Sequence, residues 1–134
     1  MVSIIYQKVT FSASPRELFN IYLDSKKHGA AIDDKASISR KVCSRFTAFG
    51  GMLRGRTLMI VPDRLIVQSW RASSWKKNDL DSVLILQFDR VKDGGRITLL
   101  QANVPQHACR NIKEGWPKHY WTPWKTYLKN RRSR

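Results

Sequence analysis

Residues 115–128 read GWPKHYWTPWKTYL, and the remainder of the chain has to fold around them. Trp116, Tyr120, Trp124 and the pair 127–128 recur at steps of four, four and three or four, the spacing that places side chains on one face of an α-helix. That face is aromatic and the opposite face is polar, so the segment predicts an amphipathic helix with an apolar partner. Such a stripe is typical of core packing, and it can also form one wall of a ligand pocket.

Two prolines affect this helix. Pro117 suits a first helical turn, where its missing N–H has no intrahelical acceptor, so we expect the long helix to begin at Gly115 or Trp116. Pro123 lies further inside, where it removes a hydrogen bond to the preceding turn and predicts a bend. Residues 106–114 predict a short helical lead into the long helix.

The composition is that of an ordinary globular domain. Of 134 residues, 42% are apolar and 26% are charged, which predicts a single domain over residues 1–134 with one core. No apolar run approaches the roughly 18 residues of a membrane span, and the first eleven residues lack the pattern of a signal peptide. Cys43 and Cys109 have no CxxC spacing, which favours a reducing compartment. We therefore predict a cytoplasmic location.

The chain is strongly basic, with 25 Lys and Arg against 10 Asp and Glu and a net charge of +15. Clustered cations bind nucleic acids and other anionic surfaces by releasing counterions. Most of these charges are scattered along the chain, and only residues 129–134, KNRRSR, form a cluster. This cluster predicts a loose basic tail from about residue 129, with at most non-specific nucleic-acid binding.

The segments before the long helix alternate in type. Period-two patterns predict a first strand over residues 2–11, and Ser14-Pro15-Arg16-Glu17 is a capping box that begins a helix. Ser25 is expected to cap a second short helix that ends at Asp33. Further period-two patterns predict strands over residues 36–42, 46–49, 53–61, 65–72, 82–90 and 96–104.

Turn residues separate these strands. Gly50-Gly51 indicates a bend, and Pro62-Asp63 is a tight-turn pair that joins two strands as a hairpin. In the last hairpin, Gly94 and Gly95 are expected to supply the positive φ that the turn needs. Consecutive strands between segregated helices predict an α+β domain with a curved antiparallel sheet of about six or seven strands around the long C-terminal helix.

Three strings carry a family resemblance: FSASPRELF at 11–19, VQSWR at 67–71 with Ser74-Trp75 following, and Gly115-Trp116 at a helix start. Together they resemble the C-terminal domain of the activator of the heat-shock-protein-90 ATPase, over roughly residues 5–128. The resemblance implies the START-like (SRPBCC) superfamily and the helix-grip fold of birch-pollen-allergen-like proteins. Full activators carry an additional N-terminal domain that makes the principal chaperone contact. These 134 residues have no room for that domain, so we expect little or no ATPase stimulation.

The residues offer few groups for catalysis. His28, His107 and His119 lack the spacing that places two metal ligands on one helical face, and each is expected to be a surface or capped histidine. Asp79 and Asp81 flank a loop and are expected to be solvated. We predict no catalytic residue, metal or cofactor. If a reaction takes place, the groups expected to orient its substrate are Gln101, Asn103, His119 and Tyr120.

The sequence leaves three functions open. We predict first the non-enzymatic binding of an apolar or amphipathic small molecule in a cavity between the sheet and the C-terminal helix. The predicted lining consists of Trp70, Leu86, Phe88, Leu99, Trp116, Tyr120 and Trp124. The first alternative is a co-chaperone-like interaction module whose basic surface meets an acidic partner. The second alternative, which the resemblance implies, is a START-like cyclase or hydratase.

Overall fold

Seven antiparallel strands form the framework of the fold in a computed structural model, which describes residues 2–131. The strands are β1 (Val2–Phe11), β2 (Ala36–Ser37), β3 (Arg45–Ala48), β4 (Leu53–Val61), β5 (Leu65–Ala72), β6 (Ser82–Val91) and β7 (Gly94–Pro105). Their order in the sheet is β1-β7-β6-β5-β4-β3-β2, so only β1 lies outside the sequential meander. The predicted α+β class is confirmed, and the sheet has seven strands.

The helices lie at the two ends of the sequence. They are α1 (Pro15–Leu23), α2 (Ser25–Ile32), α3 (Cys109–Trp116), a π-helical turn (Pro117–Trp121) and α4 (Thr122–Arg131). Short 3₁₀ turns occupy Phe49–Gly51 and Gln106–Ala108. Within residues 2–131 no helix combines the length and the apolar character that crossing a bilayer requires.

Of the first two helices, α1 has the expected cap and α2 has a different one. Ser14 caps α1 as predicted, because its Oγ accepts the Glu17 N–H at 3.1 Å. The prediction that Ser25 caps α2 is wrong: Asp24 accepts the Lys27 N–H at 2.9 Å instead. Ser25 Oγ donates to the carbonyl of Ile38 and accepts its N–H, both at 2.8 Å. The Ser25 hydroxyl therefore fastens α2 to the chain that follows β2.

The strand predicted over residues 36–42 is much shorter than expected. Only Ala36–Ser37 pairs as a strand, and it pairs with β3. The chain then turns: Cys43 has a φ of 73°, and its N–H donates to the carbonyl of Thr57 at 2.7 Å. Residues 38–42 form a loop that is held at one end by the bonds of Ser25 to Ile38 and at the other by the bond of Cys43 to Thr57. A period-two pattern does not reveal these contacts.

The glycines of the last hairpin have a different role from the predicted one. The positive φ of the turn belongs to Asp93, at 67°, whereas Gly94 and Gly95 are the first residues of β7. A Cβ on Gly94 would lie 2.0 Å from the Phe11 carbonyl oxygen. These glycines therefore permit the close approach of the chain that leaves β1, a steric need that only glycine meets.

The long C-terminal helix begins earlier than predicted. It starts at Cys109 rather than at Gly115 or Trp116, so Pro117 lies inside it. Pro117 leaves the carbonyl of Lys113 without its usual N–H donor, and Gln7 Nε2 of β1 donates to that carbonyl at 2.8 Å. The helix departs from α geometry at Pro117–Trp121, before Pro123 rather than at it.

The π turn also changes which aromatic residues are buried. A π turn places residues five apart above one another, and the rings of Trp116 and Trp121 stack at 5.4 Å with an interplanar angle of 18°. Trp121 is 4% exposed, although it lies off the predicted stripe. The stripe itself is confirmed as a buried face, because Trp116, Tyr120, Trp124 and Leu128 are all buried.

Helix α4 continues into the segment that was predicted to be a loose tail. Lys129 to Arg131 belong to the helix, and Arg131 Nη2 donates to Glu17 Oε1 of α1 at 2.9 Å. Residues 132–134, the rest of the basic cluster, lie outside the described residues.

Candidate functional site

A cavity of about 280 Å³ lies between the β4–β5 side of the sheet and the C-terminal helix. The strand β5 contributes Trp70 and Ala72, and the helix contributes Ile112, Trp116 and Tyr120. Met52, which is 62% exposed, also lines the cavity. The lining is predominantly apolar, as in most small-molecule sites.

The seven predicted lining residues are all buried, but they separate into two groups. Trp70, Trp116 and Tyr120 line the cavity. The other four are at most 3% exposed and pack elsewhere in the core: Leu86, Phe88, Leu99 and Trp124. Binding of a ligand by any of the seven stays a prediction.

Phe49 is a lining residue that the sequence analysis missed. It has a φ of 54°, and the two glycines after it have φ values of 65° and 101°. The left-handed region is costly for a bulky side chain and is often found at functional sites. The Phe49 ring contacts the rings of His119 and Tyr120, each at 5.7 Å between centroids. The sequence signal that could have identified Phe49 as a lining residue is an aromatic residue directly before Gly50-Gly51.

Behind the cavity wall, Tyr120 forms a buried pair with His28. His28 Nδ1 lies 2.6 Å from the Tyr22 carbonyl oxygen, and Nε2 lies 3.0 Å from the Tyr120 hydroxyl. A carbonyl only accepts, so Nδ1 carries the proton and Tyr120 donates to Nε2. His28 is 1% exposed, which corrects the expectation of a surface histidine.

Burial also fixes the charge of this pair. It lowers the pKa of His28 to about 4 and raises the pKa of Tyr120 far above its ordinary value, because a charged form in the core lacks hydration. At neutral pH both side chains are therefore uncharged. They form a neutral hydrogen-bonded pair rather than an acid and a base.

A second buried set of hydrogen bonds positions the two tryptophans of the lining. Trp116 Nε1 donates to Gln101 Oε1 at 2.9 Å, and Gln101 Nε2 donates to Ser82 Oγ at 3.0 Å. Ser82 Oγ in turn donates to the Trp70 carbonyl at 2.7 Å. Gln101 thus uses both ends of its amide in the core. Its predicted role as a group that orients a substrate has no support in this geometry.

The remaining polar candidates are mostly engaged outside the cavity. Asn103 Nδ2 donates to the Asp81 carbonyl at 3.0 Å, whereas His119 lines the cavity. Asp79 was expected to be solvated, but its side chain is only 17% exposed, with its Oδ2 2.7 Å from His107 Nε2. This hydrogen bond lowers the pKa of Asp79. Within residues 2–131 no three His, Cys, Asp or Glu side chains come together as a metal site requires.

Comparison with known proteins gives one family. The model of the family described as Activator of Hsp90 ATPase homolog 1-like protein matches residues 12–129. The human "Activator of 90 kDa heat shock protein ATPase homolog 1" is 24% identical over 115 residues, which cover 85% of this chain and 33% of the relative. A protein of Schizosaccharomyces pombe is 25% identical over 122 residues, covering 91% and 36%. The chain thus spans about a third of the length of these relatives.

Solved structures share the fold. The crystal structure of an HSP90 activator from Plasmodium falciparum superposes with a TM-score of 0.87 at 21% identity, covering 94% of this chain and 96% of that one. A protein of Mesorhizobium loti superposes with a TM-score of 0.82 at 18% identity, covering 96% and 98%. These likenesses confirm the predicted helix-grip fold, and the match of the family model confirms the family resemblance.

Proposed function

The chain belongs to the family of Activator of Hsp90 ATPase homolog 1-like proteins, and from that premise we propose that it binds a small apolar or amphipathic molecule without transforming it. A fold alone does not choose among binding, chaperone contact and catalysis. The observation that carries the proposal is the apolar cavity between β5 and the C-terminal helix, with Trp70, Trp116 and Tyr120 in its wall.

The size of the cavity limits the ligand. At about 280 Å³ it is slightly smaller than typical small-molecule sites, which run from about 300 to 1,000 Å³. A ligand with one or two rings, or a short acyl chain, fits this volume better than a sterol. The aromatic lining favours a flat apolar body, because aromatic rings prefer offset or edge contacts with other rings.

The buried pair next to the cavity supports binding without catalysis. General acid–base chemistry requires a group with a pKa near the working pH. Burial moves the pKa of His28 down to about 4 and that of Tyr120 upward, so neither exchanges a proton readily at neutral pH. The His28–Tyr120 pair therefore supports a fixed wall for a ligand rather than a reaction.

A thermal-shift screen tests the cavity. We expect 1-naphthol, indole or octanoic acid to raise the melting temperature, because a ligand that binds only the folded state stabilises it by mass action. At a hundredfold excess over Kd the gain is about 2.7 kcal/mol, or roughly 10 °C for a domain of this size. Emission of the lining tryptophans should change with the same midpoint.

A cavity-filling variant provides the control. Ala72 lines the cavity, so Ala72→Leu should occupy part of it and weaken binding of the same compound by about tenfold or more. Ala30 of α2 is exposed and does not line the cavity, so Ala30→Leu should leave the affinity unchanged. Equal loss in both variants, or no shift with any of the three compounds, would contradict a ligand site here.

A co-chaperone-like role is the second candidate. Its support is the match to the human activator and the likeness to the Plasmodium falciparum HSP90 activator. Such contact would use the basic surface and weaken as salt rises, whereas binding in an apolar cavity changes little with salt. Titration into purified Hsp90 at low and high salt therefore separates the two candidates.

A further inference from the structure

The outward face of the sheet carries an uninterrupted apolar row. Residues directly opposite each other on antiparallel strands share a face, and the registers of five strands align one such row. We name this row the outer stripe, and it consists of Tyr6, Leu100, Ile85, Val67 and Met59.

The outer stripe has no cover within residues 2–131. Tyr6 is 57% exposed and Met59 is 51% exposed, and Ile4 beside the stripe is 67% exposed. The opposite face of the sheet holds the core, where Phe88 of β6 contacts Phe19 of α1. An antiparallel sheet with one solvated face usually places polar residues there. An apolar row across five strands is therefore typical of an interaction site rather than of a solvated surface.

Three arginines lie on the same face at one end of the outer stripe. Arg45 is directly opposite Arg56, and Arg54 is opposite Arg71. Arg71 is neutralised by Asp81 at 2.8 Å, whereas Arg56 donates to the neutral carbonyl of Cys43. In the described part of the chain, no carboxylate forms an ion pair with Arg45, Arg54 or Arg56. We name these three the arginine cluster.

Like charges placed opposite each other across strands are destabilising. The arginine cluster therefore carries a cost in the isolated domain that an anionic partner would remove. A second copy of the chain is a poor occupant, because each copy carries a net charge of +15. A nucleic acid would satisfy the cluster but would not cover an apolar row.

We propose that the outer stripe and the arginine cluster together form a docking surface for an acidic amphipathic segment of a partner protein. The row crosses five strands, which at about 4.8 Å per strand is roughly 19 Å. A helix of about 13 residues has that length at 1.5 Å per residue. Its apolar face would cover the outer stripe, and carboxylates near one end would meet the arginine cluster. This surface is separate from the cavity, so the proposal stands without the ligand site.

A designed peptide tests this surface. The probe is a fluorescein-labelled 14-residue peptide with leucines at helical spacing and glutamates elsewhere. The comparison peptide has the same composition in an order that lacks an apolar face. We expect the first peptide to bind the full chain and to shift the amide NMR signals of Ile85, Val67 and Met59. We expect the second peptide to bind at least about tenfold more weakly, because only the first combines charge with a complementary apolar face.

Matched charge reversals provide the control. The pair Arg54→Glu and Arg56→Glu should weaken binding of the peptide at least about tenfold. The pair Arg90→Glu and Lys92→Glu changes the net charge equally at exposed positions outside the arginine cluster, and it should leave the affinity within about threefold. Thermal melts of both variants establish that each is folded.

Four outcomes of the measurements on the peptides, the variants and the oligomeric state would overturn the proposal. They are equal binding of the two peptides, signal shifts confined to the cavity, equal loss in the two charge-reversal pairs, and a dimer in sedimentation that protects the outer stripe. Vesicles of phosphatidylcholine and phosphatidylserine are measured in parallel. Binding to them with no binding of the peptide would assign the surface to lipid and refute a protein partner.

Discussion

Replacing Trp124 by alanine is expected to lower the free energy of unfolding by about 3 to 5 kcal/mol, as for other large-to-small changes in a core. Trp124 is fully buried, and its ring lies 5.6–6.4 Å from the rings of Phe11, Tyr22, Tyr120 and Trp121. These neighbours belong to β1, α1 and the π turn, so the space left by the indole is bounded by several elements and cannot close by the movement of one.

Urea denaturation of the variant measures this loss. Thr126→Ala is the control, because Thr126 is exposed on the same helix and surface substitutions usually change stability by less than 0.5 kcal/mol. A loss below 1 kcal/mol for Trp124→Ala would show that the aromatic face is loosely packed and that the core depends on other residues.

The second large effect is a loss of stability in acid that depends on His28. An unfolded histidine has a pKa near 6.5, and burial lowers the pKa of His28 in the folded state to about 4. Well above pH 6.5 both states are neutral at this residue, so it causes no pH dependence there. Between pH 6.5 and pH 4 the unfolded state binds the proton first, and the free energy of unfolding falls by about 3 kcal/mol in total.

Chemical denaturation at several pH values between 7.5 and 4 measures this slope. The variant His28→Gln removes the titrating group, so its stability should fall less over the same range. His119→Gln changes an exposed histidine and should keep the slope of the wild type. A His28→Gln protein with the full slope would show that other groups cause the acid sensitivity.

The sequence predicted those parts of the fold that depend on local pattern. The strands β4 and β5 have the predicted bounds, and the cap at Ser14 is confirmed, because alternation and capping are properties of neighbouring residues. The predicted start of the long helix is wrong because Pro117 lies inside the helix and not in its first turn. Its missing N–H is compensated by Gln7, which is distant in sequence.

The candidate site was less predictable for the same reason. The aromatic stripe correctly predicted which face of the helix is buried against the sheet. The cavity occupies only one part of the space between them, where β5 meets α3 and the π turn. Leu86 and Leu99 have the same alternation as Trp70, and the pattern alone cannot tell filled space from empty space. The burial of His28 depends on its contacts with Tyr22 and Tyr120, the second of them 92 positions away.

The side chain of Gln7 forms hydrogen bonds between β1 and the C-terminal helix, which is synthesised much later. It donates to Lys113 and accepts from Trp121, across 106 and 114 positions. At 5 to 20 residues per second, synthesis of residues 109–131 takes roughly 1 to 5 s. During that time α1 is already available to pack on the inner face of the sheet, but the part of that face that the C-terminal helix covers stays open, and the outer stripe is bare as well. The part made first is already net positive, and repulsion between nascent chains opposes their aggregation until the aromatic helix closes the core.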